Sequence, residues 1–248
     1  MRELVAVELF KLRSVRSSWW LAAAALGLVV LGTILTLAFA AKPHSERELR
    51  SLLSFVGTAG LPMLVFGAVT MGGEYRHRTI VSALLVRPER NELLLAKALA
   101  ATVAGAIIGL AAAVLTSLIA LPWLAASGVH LSLSVGQILV LNLGAVTYCA
   151  LSALLGVGLA AVVGDQVAAV AGVLVVIAVV DPALSAVLPS LGKFGPSALG
   201  ISLSGSASNT GGPYTEVLGA GWAALVYLAY ATAFMIAAFF ANDRREFA

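Results

Sequence analysis

The chain has 248 residues, 60% of them hydrophobic and only 11% charged, with a formal net charge of +3. Soluble domains carry roughly 25% charged residues. A chain this apolar cannot cover itself with polar surface in water, and lipid is the solvent that fits. The single cysteine, Cys149, excludes an intramolecular disulfide.

Residues 1–18 mix Leu4, Val5, Leu9, Phe10 and Leu12 with Arg2, Lys11, Arg13 and Arg16. Such a segment can lie on a membrane surface, apolar residues dipped and cations among the headgroups. Its faces separate imperfectly, so a plain positive anchor for the first span is the other reading. Trp19 and Trp20 stand where interfacial aromatics belong. The run 19–41 ends near a small-residue triplet, Ala38-Phe39-Ala40, that looks like a signal cleavage site. A signal core is only about 7–15 residues long, however, so this run is predicted to be a retained helix.

Six apolar stretches, about 19–41, 53–73, 98–121, 136–163, 167–187 and 218–241, approach the roughly 20 residues a spanning helix needs. They lack the period-2 alternation of barrel strands, which leaves helices as the way to satisfy the backbone in lipid. The expected fold is therefore all-α and integral to the membrane, with an interfacial segment (1–18) and a six-helix domain (19–248). Placing the N-terminus inside puts eleven Lys and Arg residues on the inner side and four on the outer. This distribution predicts cytoplasmic termini.

The connections differ in kind. Residues 74–97 form a long, charged, helix-prone elbow, whereas Gly164-Asp165-Gln166 is a bare turn that makes spans four and five antiparallel neighbours. Between spans five and six, residues 183–201 are apolar but broken by Pro189, Gly192, Gly195 and Pro196. Short re-entrant or interfacial helices sheltered by protein fit there. Residues 202–213 read as a mobile polar loop.

Several chemistries are missing. No G-x-x-x-x-G-K-[ST] occurs, so no P-loop is expected to bind ATP. No H-E-x-x-H, G-x-S-x-G or Cys/His metal spacing occurs, and His44, His77 and His130 are scattered through connections. An enzyme acting alone is not expected, nor is a nucleic-acid partner.

The informative stretch runs from Gly72-Gly73-Glu74 through Arg76, Arg78, Thr79, Ile80, Leu84, Leu85, Arg87, Pro88 and Arg90 to Lys97. Ile80 and Leu84 would share one side of a short helix that Pro88 stops. A second helix, led by Glu89 and Glu92, would run into span three, with acids suited to its N-terminal dipole.

Here the sequence resembles the ABC-2 permease family. The resemblance rests on Glu74, the Thr79-Ile80 step, the Leu84-Leu85 pair, Pro88 followed by Arg90, and Lys97. The entry segment Glu8-x-x-Lys11-Leu12-Arg13-Ser14-x-Arg16 and the terminal Asp243-Arg244-Arg245 are similar to that family as well. Many relatives have Gly where this chain has Arg78.

The resemblance implies a transporter of two permeases, alike or related, and two copies of a separate ATPase subunit that binds ATP and Mg. The chain would sit in the plasma membrane and export a hydrophobic or amphipathic cargo such as a drug, an antibiotic peptide or a lipid; an ion-coupled secondary transporter, for which Asp181 is the one candidate acid, and a non-transport membrane scaffold are the other readings. The elbow would dock on the ATPase through Glu74, Arg76, Arg78, Thr79, Arg87, Pro88 and Arg90. Spans two and five would line the path. Phe55, Thr58, Pro62, Phe66 and Thr70 of span two are the candidates, and by helical spacing Phe55, Pro62 and Phe66 share a face. Packing is the other role for such a face.

Acids at membrane depth usually have a purpose. Asp181 is read either as an acid of the exit path or as an N-cap for a helix beginning at Pro182. Asp165 is read as a turn residue. Asn142, Tyr148, Cys149 and Ser152 are candidates for bonds between helices, and Gly105-x-x-x-Gly109 for close helix approach.

Overall fold

A computed structural model of the chain describes residues 1–39, 46–77, 90–128, 133–205, 214 and 216–244. Every regular element among them is helical. α1 (Arg2–Ser14) is followed at once by α2 (Arg16–Phe39). Next come α3 (Glu46–Leu53), a 3-10 segment (Ser54–Ala59) and α4 (Gly60–Arg76) in one unbroken course. α5 (Arg90–Ala126) and α6 (Val135–Val163) are the longest helices. α7 (Gln166–Val175), a π segment (Val176–Val180) and α8 (Asp181–Val187) form one further course. Two short helices, α9 (Pro189–Gly192) and α10 (Pro196–Ser204), precede α11 (Ala220–Arg244).

Among the described residues, six helical stretches are long and apolar enough to cross a membrane: Arg16–Phe39, Glu48–Arg76, Asn91–Ala126, Val135–Val163, Gln166–Val187 and Ala220–Asn242. They overlap the six expected runs one for one. The distribution of polarity is that of a lipid-immersed bundle. Ile107, Leu110 and Leu118 of α5 point outward, while Glu8, Glu74, Lys97 and Asp181 are buried. In water this arrangement would expose a large apolar surface and desolvate ionised groups at once. The chain is a multi-pass α-helical membrane protein.

Small residues bring the helices together, as expected where lipid removes the hydrophobic drive between them. A Cβ on Gly67 of α4 would strike the Ala153 carbonyl of α6, and one on Gly156 of α6 would strike the Leu64 carbonyl of α4. Gly105 and Gly109 of α5 face α6 around Cys149 in the same way. α6 is thus the central helix, flanked by α4, α5 and α11.

The ends of α6 are well defined. Ser134 caps it in a reciprocal capping box with Gln137. Gly164, left-handed at φ 75°, closes it. Asp165 then caps α7 by accepting from the Ala168 N–H at 2.7 Å. This turn residue therefore also starts span five.

Three details differ from expectation. α3 had no sequence prediction, yet Leu49, Leu52 and Leu53 are buried and Arg50 pairs with Glu46 one turn back at 2.6 Å. Ser202–Ser204 belong to α10, not to a polar loop; Ser202 spends its hydroxyl on the Ala198 carbonyl, which lets it be buried in a helix. Span five is not a uniform α-helix, because a π segment interrupts it.

Candidate functional site

The bundle has two ends of different chemistry. One end gathers four charges from three distant parts of the chain. Glu8 of α1 is only 2% exposed. Its Oε1 accepts from Lys11 Nζ at 2.5 Å and its Oε2 from Lys97 Nζ, also at 2.5 Å. Lys97, in the second turn of α5, also lies 2.9 Å from Glu74 Oε1 at the foot of α4. Lys11 reaches the same oxygen at 3.4 Å. Two carboxylates and two ammonium groups thus alternate around a neutral cluster. It seats α1 across the ends of α4 and α5, the two helices that flank residues 77–89.

The cluster sets the titration of its members outside the spans. Burial alone would raise the Glu8 carboxyl, but Lys97 and Lys11 outweigh it and hold the pKa below the ordinary value. Burial would likewise lower Lys11, but Glu8 and Glu74 outweigh it and raise that pKa. Both residues are therefore charged at neutral pH.

α1 reaches this position by turning Glu8 and Lys11 inward among half-buried Leu4, Val5, Leu9 and Leu12. Glu8 is buried and Leu12 packs on the core, while Val7 and Phe10 face outward with Trp19 and Trp20. This explains the imperfect amphipathicity of residues 1–18: the half-buried apolar face also carries Glu8 and Lys11, and Val7 and Phe10 lie outside with exposed Arg2, Glu3 and Arg13. Trp19 Nε1 donates to the Arg13 carbonyl at 2.7 Å and fixes the α1–α2 corner.

Of the expected docking residues, Glu74 lies in the cluster and Arg76 is exposed at the end of α4. Arg78, Thr79, Arg87 and Pro88, with the predicted Ile80–Leu84 helix, lie outside the described residues, as does the side chain of Arg90. Glu8, Lys11 and Lys97 had no site role from sequence beyond the resemblance. An acid, Glu8, three residues before Lys11 in the middle of a basic segment was the available signal.

The expected path residues do not form one face. The 3-10 segment turns about 120° per residue against 100° for an α-helix, so Phe55 rotates roughly 80° out of phase with Pro62 and Phe66. Phe55 packs against Gly32 of α2, and Phe66 is buried in the core. Thr58 and Thr70 return their hydroxyls to the carbonyls of Phe55 and Gly67.

At the opposite end, Asp181 is helical and does not cap the helix at Pro182. Its Oδ2 instead accepts from the Ser197 N–H at 2.7 Å, capping α10 from another helix. The cap position of α10 is Gly195, which has no side chain to do so; a Cβ there would collide with Asp181 Oδ1. Asp181 therefore ties span five to the short helices. α10 in turn packs on α6 and α11, with Tyr148 wedged between Gly60 and Gly200. Tyr148 meets Tyr227 of α11 edge-on at 5.5 Å, and Ser152 lies 3.1 Å from the Tyr227 hydroxyl. Asn142 donates to Ser117 of α5 at 3.3 Å.

An apolar cavity of about 480 Å³ lies behind span five, bounded by Leu64, Leu155, Leu159, Val173, Ile177 and Phe234 among others. Its size falls in the range of small-molecule sites. Compared with known proteins, the sequence matches no family model and no curated protein.

Proposed function

We propose that the chain is the membrane-spanning permease subunit of an ATP-driven exporter of the ABC-2 type, energised by a separate ATPase subunit. The observation that carries this reading is the convergence of Glu8, Lys11, Glu74 and Lys97. These residues come from two separate stretches of the resemblance, the entry segment and the two ends of the elbow, and they meet in one cluster that braces both ends of the elbow. A docking elbow transmits force only if its ends are mechanically tied to the helices that must move. In this reading the elbow and both termini face the cytoplasm of the plasma membrane. Closure of the ATPase dimer around ATP and Mg shifts a two-state equilibrium of the bundle. Two permease copies share the path, and the segment from α9 to α10 is its outer re-entrant piece. The cargo is hydrophobic or amphipathic, in keeping with the apolar cavity behind span five.

Co-purification with the cognate ATPase tests the docking step. R87E/R90E is expected to abolish ATPase binding while the permease stays folded. Retention of full binding by a folded variant lacking residues 78–89 refutes the assignment. Asp181 favours a second reading, an ion-coupled carrier, because its Oδ1 is buried without a hydrogen-bond partner among the described residues.

A further inference from the structure

A second cavity, about 640 Å³, lies at the charged end, where α1, the start of α2 and the foot of α4 meet. Its lining is divided. Val15, Leu21 and Val69 give it an apolar wall, while Ser17, Lys11 and Arg76 give it a polar one. The charges on the lining do not cancel. Glu8, Glu74, Lys11 and Lys97 neutralise one another within the cluster, and Arg76 is left over. Arg76 is exposed and makes no hydrogen bond or ion pair with any described residue.

The start of α2 adds to the same bias. Val15, extended at φ −89° and ψ 123°, precedes it and has no side-chain acceptor for the first N–H groups of the helix. A helix start of this kind carries partial positive charge. The ligand that matches is an anion joined to an apolar chain. A bare phosphate would leave the apolar wall bare and most of the volume empty. A purely apolar molecule would leave Arg76 and the α2 start unmatched. The cavity also borders α1, whose outward Val7 and Phe10, with Trp19 and Trp20, mark the level of the lipid headgroups.

We propose that this cavity seats one phospholipid of the bilayer. Its phosphate lies against Arg76 and the Ser17 end of α2, and an acyl chain lies along Val15, Leu21 and Val69. The lipid wedges between the interfacial helix and spans one and two, beside the charge cluster.

The test uses the full-length permease alone in detergent, without ATPase, so its outcome is independent of the docking proposal. Binding of a short-chain fluorescent phosphatidylglycerol is measured, with inorganic phosphate as competitor. Saturable binding of about one lipid per chain is expected, with little competition from equimolar phosphate. R76Q should weaken it roughly tenfold, the size of one charge-assisted hydrogen bond. V69W, which fills the apolar wall, should weaken it at least as much, with thermal unfolding measured to confirm that each variant is folded. Binding unchanged in a folded R76Q variant overturns the proposal. So does phosphate that competes as well as the lipid, which would make this a site for soluble anions. Should V69W not fold, R76Q and the phosphate competition still decide.

Discussion

Replacing Glu8 with glutamine removes the carboxylate that holds both lysines of the cluster at the shorter distances. Its two oxygens each accept at 2.5 Å, and Glu8 is 2% exposed. The variant leaves two ammonium groups facing Glu74 alone, so a neutral cluster becomes a buried net positive charge. Breaking a buried pair by removing one partner costs about 3–5 kcal/mol. The lower end applies here, about 3 kcal/mol, because Lys97 keeps Glu74 at 2.9 Å and Lys11 is 43% exposed at its side chain and can turn to water. The assay is a double-mutant cycle of E8Q and K97M, read by reversible unfolding in detergent, with proteolysis in the 1–18 segment as a local probe. E8Q should expose α1 to protease before the bundle melts. E8Q/K97M should recover part of the loss, since the uncompensated charge goes with the lysine. If E8Q unfolds within about 0.5 kcal/mol of the parent, the range of an ordinary surface substitution, the cluster does not hold α1 and the reasoning fails.

The same cluster fixes a pH window. Glu8 has a pKa lowered from 4.5, so its contribution is present above that value and is lost only as pH falls through the depressed one. Lys11 has a pKa raised from 10.5, so its contribution is present below that value and is lost as pH rises through the elevated one. Protease protection of α1 should therefore stay flat between those two ordinary values and fall outside them; a step near pH 6–7 would contradict this. Gly67→Val puts side-chain atoms where the Ala153 carbonyl of α6 sits, and overpacking of this kind costs about 1–3 kcal/mol or more; a lowered Tm is expected, while Gly73→Ala, with nothing within 4 Å, should be near neutral. Asp181→Ala should cost about 1–2 kcal/mol as a lost cap and speed amide exchange over residues 196–204, whereas Asp181→Asn keeps an acceptor and should stay close to the parent. Transport abolished by a stable Asp181→Asn variant would favour ion coupling over capping.

The spans were legible because each is a long apolar run, and length is what lipid demands. Turn chemistry was legible too: Gly164-Asp165 became a left-handed stop followed by an N-cap, each residue acting through its own local chemistry. The charge cluster was not. Glu8, Glu74 and Lys97 are separated by up to 89 positions, and no local pattern says that three chain segments meet. The role of Asp181 was hidden for the same reason. Asp-Pro reads as a local cap, but the helix it caps begins at Pro196, 15 residues on. Phe55 was misplaced in phase because nothing in Ser54–Ala59 announces a 3-10 turn; buried Val56 and Ala59 and the close approach of Gly57 to Ser204 accompany it, and those are tertiary facts.

Span five differs from the others in how it is held. α4, α5, α6 and α11 lock together through glycines set against neighbouring backbone or side chains. Gly172 of α7 faces nothing within 4 Å. The span is instead secured near its ends, by Gln166 against Gly72 and Ala169 and Val173 in the core at one end, and by Asp181 and Ser185 against Gly195 and Gly192 at the other. Between them, from Leu174 to Val180, no residue is buried, the apolar cavity lies alongside, and the π segment interrupts the regular hydrogen-bond ladder. A helix anchored at two ends, packed in the middle only through half-buried Ile177 and already broken in its ladder bends there at least cost. The same geometry makes Asp181 the point at which such a bend would reach α10. That gives the cap a mechanical consequence, and the Asp181→Ala exchange measurement reads it directly.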